Sequence, residues 1–460
     1  MGLTDARGLS ISTSNRDALA KYDHALMQYH GFAGNPVGTI DEALELDPEF
    51  ILAHCFRAVV YLLAMERKLE RKAARNVAAA EALATRANDR ERRHIAAVRA
   101  WLDGYFERAA EHWEAILLDH PHDSQALQSA HLTDFFLGHT ASLRDRIARV
   151  LPAWNPEVPG YGFVLGMHAF GLEECGDYGR AEELGRRAVE TYPRDVWAIH
   201  AVTHVLEMQG RFRDGVRWMS ERESDWSPDN LFAIHNWWHL ALFHLEAGET
   251  DRVLEIYDDR IRGTQSEVVL NLLDASALLW RLHLLGIDTG ERWRDLADLW
   301  EPLVDDAYNA FNDMHAMMAF VADGRDAAAD ALLRTNEKVA AGDGTNVMMV
   351  REVGLPVCRA LRAHGHGEFG TTVELLLPVR YVAHRVGGSH AQRDVIGLTL
   401  VDAALRDSQQ RLARALVSER TELRPTSPIN WQLSARALEA LGDRRGAKAA
   451  RDRVSALRRQ

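Results

Sequence analysis

Between residues 90 and 340 the apolar positions fall three and four apart, the spacing that gives a helix one buried face. A glycine closes each periodic stretch, at Gly104, Gly138, Gly176, Gly210, Gly248, Gly286 and Gly324, at intervals of 34, 38, 34, 38, 38 and 38 residues. That ruler fits a helix–turn–helix unit of the tetratricopeptide kind, about 34 residues long, with a few extra loop residues in some copies. Glycine suits the end of a first helix because the chain there needs the left-handed conformation. Around Gly104, Trp101 and Phe106 supply aromatics for the turn, and Ala109 leaves room for the next helix; Tyr178 and Ala181 repeat the arrangement after Gly176. Proline follows the second helix at Pro121 and Pro193, where a helix cannot continue.

Sustained β-branched alternation is absent, so strands are not expected. Residues 22–63 read as two helices separated by Leu46, Asp47 and Pro48, and 371–386, 389–405, 410–417, 428–441 and 444–457 read as helices beyond the ruler. The expected fold is all-α: a TPR-like α-α solenoid, a superhelix of antiparallel helix pairs in one continuous domain. Residues 1–14 are expected to be a flexible lead-in and 15–460 the solenoid, with regular repeats over about 90–340 and divergent helices over 345–460.

Counting back from each glycine puts different repeats on one scale. His204 and His200 lie 6 and 10 residues before Gly210, His239 and His235 lie 9 and 13 before Gly248, His315 lies 9 before Gly324, and His94 lies 10 before Gly104. At about 100° per residue these offsets share one helix face, expected to line the concave side. His200 with His204, and His235 with His239, are i,i+4 pairs on adjacent repeats, able to share a ligand. Imidazole is a common ligand of zinc, copper, iron and nickel, so His200, His204, His235 and His239 are the expected ligands of a divalent metal. Glu207 lies one turn further along. Against this stands the plain alternative that buried histidines simply satisfy carbonyls or each other. Zincin chemistry lacks its H-E-x-x-H signature.

A carboxylate on an otherwise apolar helix is costly unless paired. Asp274 therefore has three readings: it orients a histidine of a neighbouring repeat, acts as a base, or pairs with Arg281 or Arg393 for stability alone. The catalytic candidates are His204, His239, Asp274 and His315. The substrate-binding candidates are Asn236, Trp238, His390 and Arg393, with one of Trp237 and Trp238 expected to wall the groove. Ser389 and Gln392 match a capping box after the Gly387–Gly388 pair, so a helix starts there; its N-terminus could hold an anion with His390 and Arg393.

The chain of 460 residues carries 54 basic and 67 acidic side chains, a formal charge of −13, which argues against non-specific binding to nucleic acid or anionic lipid. Only five of the basic residues are lysine; this arginine bias suggests a bacterial genome. Three cysteines and no C-x-x-C exclude a disulfide framework and a structural zinc ribbon. Residues 1–15 lack a secretory pattern, and the apolar run 268–287 is broken by Asp274, Arg281 and His283, so it reads as a buried helix and the protein as cytoplasmic.

With the glycine ruler, the stretches 200–210 (His-Ala-x-x-His-Val-Leu-Glu-Met-x-Gly), 235–239 (His-Asn-Trp-Trp-His) and 387–394 (Gly-Gly-Ser-His-Ala-Gln-Arg-Asp) give the chain its family resemblance. It resembles the tetratricopeptide repeat protein 38 family over about residues 22–457. The resemblance implies a closely wound helical-repeat fold and no settled reaction. The residues favour a His/Asp/Trp-lined pocket for a small polar or anionic molecule, with hydrolase or lyase chemistry by histidine acid–base or metal assistance. The alternative is a non-catalytic scaffold that takes a peptide or protein partner in its groove, with self-association open in either case.

Overall fold

The computed structural model describes residues 3–459, most of them in helices joined by turns. Asp89–Leu102 is followed by Phe106–Asp119, Tyr161–Glu174 by Tyr178–Thr191, and Pro428–Ala440 by Arg444–Arg459. Connections of three residues leave the chain no course but to reverse, so each pair is antiparallel. The seven glycines of the ruler all adopt positive φ, between 66° and 89°, which is why a residue without Cβ recurs there. The fold is thus an all-α helical repeat of the tetratricopeptide kind.

Contacts divide the chain into two compact units, with the division falling inside the Val196–Met208 helix. The first comprises residues 1–202, 224–233 and 343–346; the second comprises 203–223, 234–342 and 347–460.

In the first unit Tyr22, Phe50, Phe56, Trp101, Trp113 and Phe170 are buried together with small alanines at the helix crossings. The sequence suggests a flexible segment up to residue 14. Instead, Leu3–Thr4 pairs antiparallel with Ser10–Ile11. Arg7 in the intervening turn is buried and donates to Asp23 at 2.7 Å, and the backbone N–H of Ser12 donates to Glu91 at 2.9 Å. Polar anchors of this kind leave no apolar pattern in the sequence. Residues 22–63 also depart from expectation, lying in three helices, Arg16–His30, Pro36–Leu46 and Ile51–Leu63, because a turn through Phe32 (φ 50°) and Gly34 (φ 65°) breaks the first stretch. His94 belongs to this unit and bonds Asp123 at 2.9 Å beside Arg90, a buried pairing separate from the other histidines.

The second unit buries Trp238, Trp280, Trp300, Phe243 and Met314. Its Phe212–Ser220 helix closes on the Ala233–Ala247 helix at Gly215, where a Cβ would fall inside the ring of Phe243. The Val269–Leu284 helix, broken by charges in the sequence, is buried along nearly its whole length. No described helix is long and apolar enough to cross a membrane.

Candidate metal centre

Within the second unit, three helices supply a cluster of histidines and carboxylates. Val196–Met208 carries His204 and Glu207, Ala233–Ala247 carries His235 and His239, and Val269–Leu284 carries Asp274. One ligand nitrogen from each of His204, His235 and His239 lies within 4.8 Å of the others. The ring centroids of His204 and His239 are 4.6 Å apart, and those of His235 and His239 4.7 Å.

His235 and His239 of the Ala233–Ala247 helix are each braced from behind. His235 donates from Nδ1 to both oxygens of Asp274, at 2.9 and 3.0 Å, and His239 from Nδ1 to Oε2 of Glu207 at 2.7 Å. An ionised carboxylate only accepts, so both rings carry their proton on Nδ1 and turn Nε2 inward. The two Nε2 atoms then face each other at 3.2 Å. Asp274 thus meets a histidine of a neighbouring repeat and is paired with neither Arg281 nor Arg393. Burial raises the Glu207 carboxyl, a shift that His204, Arg424 and Arg281 oppose.

The remaining sequence candidates are distributed differently. His200 sits one turn before His204 on the same helix but in the first unit, its ring 5.3 Å from Phe170 and 4.9 Å from Phe232. His315 is buried with its Nδ1 bonded to the Phe311 carbonyl of its own helix at 2.8 Å, and burial pushes its pKa down to about 4. It is outside the group of converging nitrogens. Trp238 does not wall an open groove: it is fully buried, stacked on His235 at 5.3 Å and edge-on to His239 at 4.7 Å. Trp237 is buried too, under the guanidinium of Arg260. Asn236 is buried with neither amide atom hydrogen-bonded among the described residues. The capping box of Ser389 and Gln392 is present, but Arg393 folds back to donate to the carbonyls of Gly387 and Gly388, and His390 is exposed at the helix start. That guanidinium serves the loop.

What the sequence does not single out is a cavity of about 60 Å³ beside the cluster, lined in part by Glu207, Arg281, Asp394, Arg420 and Arg424. Glu207 belongs to both, bonding His239 and contributing to the cavity wall. Arg281 lies over the face of Trp238 at 5.2 Å. Its only sequence signal is a lone cation within an apolar helix, which serves equally well as a stability pair.

No protein-family model matches the chain. Among solved structures it is similar to a human IFIT1 dimer with PPP-AAAA, at 14% identity and TM-score 0.42, over 88% of this chain and 90% of that one. It is also similar to yeast Tom70, at 11% identity and TM-score 0.34 over 97% and 93% of the two chains. A third is a Naa15/Naa10 structure bound to HypK-THB, at 12% identity and TM-score 0.27 over 96% and 70%. These are distant likenesses and assign no reaction or partner to this chain.

Proposed function

We propose that this helical-repeat protein binds a divalent transition-metal ion of the zinc class through His204, His235 and His239, and uses it to activate water against a small polar or anionic molecule. The observation that carries this is the 3.2 Å separation of the His235 and His239 Nε2 atoms, each ring held by a carboxylate at Nδ1. Two nitrogens bound at 2.0–2.1 Å to one tetrahedral ion stand about 3.3 Å apart, so the rings already have ligand spacing. Without an ion, two such rings would meet lone pair to lone pair unless a shared proton made one of them imidazolium. Carboxylates behind the imidazoles fix the tautomer and raise ligand basicity, as in histidine metal sites generally.

Three imidazoles leave one tetrahedral position for water, whose pKa a bound zinc-class ion lowers to about 7.

The test is metal content of the full chain purified without a histidine tag. Expected are about one equivalent of zinc, copper or nickel in the wild type and loss of it in both His204→Ala and His239→Ala variants. Stoichiometric metal retained in both variants would overturn the assignment.

A further inference from the structure

Arg281 is 5% exposed, and its guanidinium forms no ion pair among the described residues. Two of its five N–H groups are used: Nη1 donates to the Ala277 carbonyl at 2.9 Å and Nη2 to the Ala391 carbonyl at 2.5 Å. One face lies on Trp238. The remaining donors belong to a side chain that lines the 60 Å³ cavity. Burial pulls its pKa down to about 10, a shift that Asp394 and Glu207 oppose and that Arg424 and Arg420 reinforce.

The other charged groups around the cavity are already hydrogen-bonded or ion-paired, Glu207 with His239. Asp394 accepts two bonds from Arg420, at 2.7 and 2.9 Å, and a third contact from Arg424 at 3.1 Å. Glu246 accepts from the Ser427 hydroxyl at 2.7 Å and the Ile429 N–H at 3.0 Å. Asp402 accepts from His364 and Arg406. Arg281 is thus a cavity-lining guanidinium whose donors are not all taken up among the described residues, and the wall also carries the apolar Phe212, Leu242, Leu284 and Leu398.

We infer that this cavity binds a short-chain organic monocarboxylate, its carboxylate on Arg281 and its hydrocarbon part against the leucines. The guanidinium fork suits a planar carboxylate. A phosphate dianion fits less well, because four protein carboxylates share the cavity wall and repel a double negative charge more than a single one. As the substrate class of the metal centre, this rests on the function proposed above, since Glu207 joins the two; as a binding site, it rests on Arg281 alone.

The test is calorimetric titration of the full chain with sodium propionate, acetate and phosphate at matched ionic strength, on protein as purified and after chelator treatment. Saturable propionate binding is expected in both preparations, weakened about tenfold or more in Arg281→Met and less in Arg281→Lys. Leu398→Phe, which keeps the cation and shrinks the cavity, should weaken propionate more than acetate, so the site stays testable even if Arg281→Met fails to fold. Binding that survives chelation supports the Arg281 site whatever becomes of the metal. Binding lost on chelation from protein that remains folded, phosphate tighter than propionate, or propionate binding unchanged in both Arg281→Lys and Leu398→Phe would each overturn it.

Discussion

His239 meets Glu207 at 2.7 Å on its Nδ1 side and His235 at 3.2 Å on its Nε2 side, so one buried ring is oriented by a carboxylate and faces a second imidazole. Glu207 and His239 sit on consecutive first helices of adjacent repeats, and the i,i+4 spacing of His235 and His239 does the rest. The repeat architecture therefore builds the braces: each carboxylate–imidazole pair takes one partner from each of two helices.

The braces are separable from the ligands. Glu207→Gln and Asp274→Asn keep side-chain size and leave all three imidazoles in place. They remove the anionic acceptor that fixes each tautomer. Each is expected to weaken metal binding about 10–100-fold without abolishing it, measured by competition with a chromogenic chelator. His315→Ala and Arg393→Ala are expected to leave that affinity unchanged, because one bonds its own helix and the other its own loop. Equal losses in all four variants would point to general destabilisation and count against the bracing role.

Gly215 has a different task, which substitution should expose. A methyl group there collides with the Phe243 ring on the helix that carries His235 and His239. Gly215→Ala is expected to cost about 1–3 kcal/mol through overpacking and to weaken metal binding as that helix shifts. Gly286 has open space around its Cβ position and strains only its backbone, at φ 74°. Gly286→Ala should therefore cost about 1–2 kcal/mol and leave metal affinity alone. Denaturant unfolding paired with chelator competition reads both quantities.

How much of this was legible in the sequence follows from what each feature depends on. The helical repeat was, because a positive-φ glycine every 34 to 38 residues is a local requirement that leaves a local mark. The histidine pairs were visible as spacing on a face. Their partners were not equally so: Asp274 admitted three readings, and only the packing of the Val269–Leu284 helix against the Ala233–Ala247 helix selects His235 over Arg281. His315 and His94 share the same offset arithmetic, yet one turns to its own backbone and the other to Asp123, since a helix face specifies direction and not the neighbour met there. The N-terminal hairpin was illegible for a related reason: Arg7, Asp23 and Glu91 hold it by polar bonds between residues distant in sequence.

The last prediction concerns the first unit and the start of the Val196–Met208 helix. Asp195 is fully buried; its Oδ1 accepts the Ala198 N–H at 3.0 Å, while Oδ2 has no hydrogen-bond partner among the described residues. Burial raises its pKa to about 7, against the opposing pull of the Ala198 and Trp197 N–H groups. In the unfolded chain the same group titrates near 3.9. The folded state therefore holds the proton more tightly. Its contribution to stability is fully present below about pH 4 and is lost as pH rises through about 7, at about 1.4 kcal/mol per unit of displacement. His30 and His131, whose pKa values burial lowers to about 4 and about 3, act the other way, since the fold keeps them neutral and loses stability as they are driven to charge. The informative quantity is thus the difference between wild type and Asp195→Asn, which keeps the acceptor for Ala198 and removes the titration. The variant is expected to gain on the wild type in thermal unfolding from about pH 5 to about pH 7, with the gain levelling off by about pH 8. A difference that stays flat across that range would show that Asp195 titrates normally and that its second oxygen is solvated.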